Sequence, residues 1–245
     1  MIKPLQKLVL FFNISLTIIA CQNKKRQTEK MFVDTVKIQR EVAQQTDSKS
    51  AGSVFPGTGN AVEDFVPANY KIDLEATGDL NNDGQNDVVI VLINKQDSTA
   101  LRPTLVLFNQ GENYKRYDQS FSAVEPKYRE NGYSIYDYEN LKIDSGKLVI
   151  SMQSSGPAGS IESTYQYMNK DLILTQVSAF SMGAGGHTEQ KINLLKGTYT
   201  QTDTDTMKED TPSTTITKTY KMPTVLFKDS DPGKIMTNAF NKMGN

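Results

Sequence analysis

The sequence predicts a mainly β protein: one antiparallel, sandwich-like domain over residues 61–228, followed by a short C-terminal helix within residues 229–245. Three observations predict it. From about Val62 onward, runs rich in Val, Ile, Leu, Tyr and Phe recur at short intervals between turn residues. Apolar and polar side chains alternate within them, as at Leu148-Ile150-Met152 and Leu172-Leu174, which is the period of a strand with one buried face. The connections are short and carry Asn, Asp or Gly, residues that tolerate the positive φ of tight hairpins.

Residues 1–20 read as a secretory signal. Lys3 and Lys7 precede an apolar run from Leu8 to Ala20, and a small residue stands before Cys21. That run is shorter than the roughly 20 apolar residues a bilayer span needs. Ile18-Ile19-Ala20-Cys21 resembles the bacterial lipobox. The resemblance implies cleavage before Cys21 and acylation of its sulfur with palmitate-type chains. Cys21 is the only cysteine, so no intrachain disulfide can form. Removing residues 1–20 removes two lysines and no acid, taking the net charge from −1 to −3. Such a chain has no electrostatic reason to bind nucleic acid. The expected location is the cell envelope, on the outer membrane or facing the periplasm in a Gram-negative cell, with the lipid as the link to the membrane.

Residues 21–60 are read as the lipidated cysteine and a flexible tether. Gln, Lys, Ser, Thr and Gly dominate, and "TDSKSAGSVFPGTGN" offers little to bury. "MFVDTVKIQREVAQQ" within it has apolar spacing that fits a short helix or a strand. As a coil the tether spans roughly 35 Å.

The strand-like runs then follow in order: "YKIDLEAT", "DVVIVLIN", "PTLVLFN", "NYKRYD", "LKIDSG", "KLVISMQ", "STYQYM", "LILTQVSAF", "QKINLL", "GTYTQT" and "STTITKTYKM". "NQGE", "DSGK", "MNKD" and "LKG" read as hairpin turns, and "SSGPAGS" as a loop. At the end, Asp231 is placed to cap a helix with Pro232 at its first position, and Ile235, Met236 and Phe240 are expected on one face.

The chemistry concentrates in "GDLNNDGQND", residues 78–87. Counting from Asp79, side-chain oxygens fall at positions 1, 3, 5 and 9: Asp79, Asn81, Asp83 and Asp87. Gly84 follows position 5, where a sharp turn favours a residue without Cβ. Gln85 at position 7 can offer its backbone carbonyl. Ca2+ takes six to eight oxygen ligands, so five protein groups and water would suffice. An EF-hand is excluded, because position 12 is Ile90 and both flanks are strand-like. The alternative is a polar Asx turn. Three carboxylates in one small loop repel each other, and a cation removes that cost.

The pattern D-x-N-x-D-G-x-x-D between two strands resembles the calcium loops of integrin-type FG-GAP and VCBS repeats. The resemblance covers about residues 66–95. It implies side-chain ligands at Asp79, Asn81, Asp83 and Asp87 and a carbonyl ligand at Gln85. Repeats of that family stack into propellers, but here one strong copy stands alone. "DTDTMKED" and "DSDPGK" are acidic without the spacing. Eleven strand-like runs are too few for four blades of four strands, so a full propeller is not expected.

Catalytic signatures are lacking. His187 is the only histidine and lies in the glycine-rich "SMGAGGHTEQ", read as a loop; no G-x-S-x-G or H-E-x-x-H occurs. Tyr133, Tyr136 and Tyr138 form either an aromatic recognition surface or ordinary core. The sequence therefore favours a non-enzymatic, lipid-anchored envelope protein with a structural calcium loop and a protein or glycan partner. The alternatives are a calcium-dependent envelope hydrolase and a periplasmic immunity or inhibitor lipoprotein.

Overall fold

A computed structural model describes residues 54–156 and 159–243. The signal, Cys21 and most of the tether lie outside the described residues. Two antiparallel sheets carry the fold. The smaller contains β1 (Thr58–Gly59), β2 (Tyr70–Gly78), β3 (Asp87–Asn94), β4 (Thr104–Asn109) and β5 (Tyr114–Ser120), in the order β1-β5-β4-β3-β2. The larger contains β6 (Tyr138–Asp144), β7 (Lys147–Gln153), β8 (Ser160–Met168), β9 (Asp171–Gly183), β10 (Gly186–Asn193), β11 (Thr198–Asp205) and β12 (Ser213–Thr219). Every strand of the larger sheet pairs with its neighbour in sequence.

Turn chemistry produces this meander. The two-residue turns Ser145-Gly146 and Asn169-Lys170 have positive φ at all four positions, 52°, 71°, 54° and 68°. That backbone hand matches the twist of the strands it joins. "GAGG", read as a loop, is instead the tip of a hairpin: β9 runs to Gly183, β10 starts at Gly186, and the two glycines pair. His187 therefore sits in β10 rather than in a loop. Its ring lies 5.3 Å from that of Phe180 on β9.

The apolar run Val88–Ile93 is buried at every position because β3 is covered on both faces. Val89 and Val91 join a core shared with Leu148, Ile150, Tyr165, Val177 and Tyr199 of the larger sheet. Val88, Ile90 and Leu92 pack with Phe55 and Phe65. The expected tether boundary at residue 60 is thus too late. Phe55 is buried, and Thr58–Gly59 pair with Tyr114–Lys115. Phe55 burial, the pairing of β1 and the Arg116 N–H donating to the Gly57 carbonyl at 2.9 Å hold this polar segment on the fold.

The C-terminal helix α1 (Pro232–Met243) begins as expected, with the Lys234 N–H donating to Asp231 Oδ1 at 3.0 Å. Its inner face differs. Met236 and Ala239 are buried, whereas Phe240 is 43% exposed at the margin of the stripe.

A group of buried charges ties the two sheets together. Arg102, fully buried, donates to Asp73 at 2.8 Å and to both oxygens of Glu139 at 2.6 and 2.8 Å. Its Nε donates to the Glu125 carbonyl at 2.7 Å. Lys127 reaches Asp73 at 2.8 Å and Glu139 at 3.4 Å. Asp73 stands at a register shift in β2, where a bulge re-aims its side chain toward Arg102. The edge strands β2 and β6 also approach closely: a Cβ on Gly78 would stand 2.7 Å from Ile143 Cγ2.

Candidate functional site

The aspartate-rich loop joins β2 to β3 and is held at both ends. Leu80 is fully buried, and so is Asp87 at the start of β3. Asn82 and Gly84 have φ of 61° and 86°, which fold the chain back on itself. The glycine at position 84 is where the sequence asks for one.

The carboxylates turn inward onto backbone donors. The Asp83 N–H donates to Asp79 Oδ1 at 3.1 Å and to Asn81 Oδ1 at 2.9 Å. Gly84 N–H donates to Asp79 Oδ2 at 2.9 Å, and Gln85 N–H to Asp83 Oδ1 at 2.9 Å. Asn81 Nδ2 donates to Asp83 Oδ2 at 2.9 Å. Asp79, Asn81 and Asp83 thus share one small mouth. These are hard oxygen donors, the type a calcium ion takes, and each carboxylate oxygen that accepts one N–H keeps a further lone pair.

Asp87 differs from the other three. Its Oδ2 accepts from Leu80 and Asn81 N–H at 3.0 and 3.2 Å, and its Oδ1 from Asn109 N–H at 3.0 Å. It anchors the loop to the β4–β5 hairpin. Burial outweighs these donors and holds its carboxyl above the ordinary aspartate range; the nearby Asp83 charge acts in the same direction. Among the described residues no group of three or more His, Cys, Asp or Glu side chains stands close enough to hold a metal ion. The arrangement brings Asp79, Asn81 and Asp83 together and directs Asp87 to the backbone. The Gln85 side chain is half-buried, with Oε1 facing Gly111.

The loop also touches the larger sheet. A Cβ on Gly146, in the β6–β7 turn, would stand 2.8 Å from Asn82 Oδ1. Three hairpin ends therefore meet at this one place. Nothing in the spacing of "GDLNNDGQND" announced Asn109 or Gly146 as neighbours, because both come from distant turns.

The three tyrosines separate. Tyr133 and Tyr138 are 72% and 57% exposed, while Tyr136 is half-buried and donates to Glu125 Oε1 at 3.3 Å. Burial of Tyr136, together with the Glu125 charge, raises its phenol well above the ordinary range. Among the described residues no helix is long and apolar enough to cross a membrane. No family model, no curated protein and no solved structure matches this chain.

Proposed function

We propose that this chain is a non-enzymatic, lipid-anchored protein of the cell envelope. Its β domain carries one structural Ca2+ in the 79–87 loop and presents a surface to a protein or glycan partner. The supporting observation is the gathering of side-chain oxygens in the loop: Asp79 and Asn81 both accept from the Asp83 N–H, and Asp83 accepts from Asn81 Nδ2. Asp79, Asn81, Asp83, the Gln85 carbonyl and Asp87 would hold the ion. The ion would supply positive charge against three carboxylates. Two like charges drawn to about 5 Å at an effective dielectric near 20 repel by about 3 kcal/mol before screening, a cost the ion would offset. The loop joins three hairpin ends, so its stiffness is passed to both sheets.

Thermal unfolding of the full chain, in calcium and in chelator, tests this. At about 100 times its dissociation constant, calcium stabilises the wild type by about 2.7 kcal/mol, provided the unfolded chain does not bind it. Asp83→Ala loses most of that gain. Asp97→Ala keeps it, because Asp97 caps Thr99 outside the loop. Equal melting in both conditions, with no calcium uptake by calorimetry, would make the loop a self-capped polar turn.

The anchor has a separate test. Cys21→Ser is expected to leave the precursor uncleaved or to release the protein from membranes. Normal processing with unchanged membrane association would refute lipidation at Cys21.

A further inference from the structure

We infer that the outer face of the larger sheet is a binding groove for a neutral polysaccharide. The inference rests on the reading of the domain as a binding module and assigns its ligand class. An open cavity of about 460 Å³ lies across β8 to β11. Pockets that hold small ligands fall in the range of about 300–1,000 Å³.

Strand register builds the groove. Glu162, Ser178, Lys191 and Thr200 are consecutive cross-strand partners, and so form one row over four strands. Ser160, Phe180, Glu189 and Thr202 form the next row. Ser178 is short and makes a floor between the longer Glu162 and Lys191. The second row continues through Gln153 to the exposed Tyr138. Phe180 and Tyr138 are three strands apart, about 14 Å at the usual strand spacing.

The chemistry of the lining selects the occupant. Two carboxylates and one ammonium stand among hydroxyl groups, so the groove is nearly neutral and gives a polyanion no attraction. Cores of protein interfaces are rich in aromatics, Met and Arg and poor in Lys, Glu and Ser; this lining has the reverse balance. Strand addition is also excluded. β8 to β11 are interior strands whose backbone groups are spent on their neighbours.

A sugar polymer answers what remains. Its hydroxyls both donate and accept, matching carboxylate, ammonium and hydroxyl partners together. Its C–H face packs on an aromatic ring, which Phe180 supplies, steadied by His187 beside it. Among the described residues neither Glu189 nor Lys191 makes an ion pair or a side-chain hydrogen bond, so both are available to a ligand. Thr200 and Thr202 hold their hydroxyls toward Thr217 and Thr215 at 3.2 and 2.9 Å. Each hydroxyl keeps acceptor capacity for a further partner.

The experiment uses the full chain in detergent. Wild type is incubated with insoluble amylose, cellulose, xylan and chitin, and titrated calorimetrically with the matching oligosaccharides. Binding to at least one is expected. Phe180→Ala and Lys191→Ala should each weaken it tenfold or more, and Tyr133→Ala, outside the groove, less than twofold. Lys191 is exposed, so its variant should retain the wild-type melting temperature. Binding to none of the four glycans, or unchanged binding by both groove variants, would overturn the groove. Calcium-dependent melting would be unaffected by that failure and reports on the underlying reading alone. Release of reducing ends during incubation would overturn the non-enzymatic reading and leave the groove in place.

Discussion

Arg102→Met is expected to destabilise the β domain by about 3–5 kcal/mol, the cost of breaking a buried ion pair from one side. Arg102 is the cation at the centre of the group, fully buried between Asp73 and Glu139. Its loss leaves those two carboxylates in a desolvated place with Lys127, which sits partly in solvent, as their remaining cation. It also leaves the Glu125 carbonyl without the Nε donor. Replacing Arg102 and Glu139 together, by Met and Leu, should recover most of the loss. That double variant removes both charges and leaves Asp73 paired to Lys127. Urea unfolding of the wild type, the two single variants and the double variant measures it. A single-variant loss under about 1 kcal/mol would mean that water reaches the site and screens the charges.

Asp87→Ala is expected to cost a similar amount, about 3–5 kcal/mol, and to do so in chelator as well as in calcium. The substitution leaves three backbone N–H groups without their acceptor at a buried position. Each orphaned donor costs about 1–3 kcal/mol, with some relief from entering water. Asp87→Asn keeps one acceptor oxygen and should lose less. The raised carboxyl sets the sign of the pH dependence. The folded chain holds the Asp87 proton more tightly than the unfolded chain does. In chelator, the stability contributed by this group is therefore greatest below the ordinary aspartate range and declines as pH rises through the raised folded value. Asp87→Asn removes that decline. Asp83→Ala has a different signature: its loss appears mainly when calcium is added, whereas Asp87→Ala already loses its backbone anchor in chelator. If Asp87→Ala melts within a few degrees of wild type in chelator, the anchor role is wrong.

Much of the fold was written locally. Alternation marked most of the strands, and the Ser145-Gly146, Asn169-Lys170 and glycine turns set the meander of the larger sheet, because each pairing there is between sequence neighbours. The helix start at Asp231-Pro232 was legible for the same reason. The failures are non-local. Phe55 sits in a polar stretch, and only its partners on the far face of β3 make it core. Phe240 follows the apolar spacing but lies beyond the surface that α1 covers. His187 looked like a loop residue because three glycines surround it, yet two of them pair across a hairpin. In the loop, the acids were legible and their division of labour was not. That Asp87 faces the backbone depends on Asn109, which reaches it from another hairpin. Arg102 gave no signal, since its partners lie 29 and 37 residues away.

The two sheets have four lateral edges, and they are not equally guarded. β2 and β6 lie close enough that Gly78 accepts no side chain against Ile143. β1 is two residues long, too short to template another chain. β12 is different: seven residues, mostly exposed, with no further strand paired to it among the described residues. An open ladder of that length invites an incoming strand from a second molecule. What discourages it is composition. "STTITKT" carries five hydroxyl residues and a lysine, and Ile216 is its one large apolar side chain. Self-association at high concentration should therefore start at β12, and substitutions of its threonines by valine or isoleucine should hasten it.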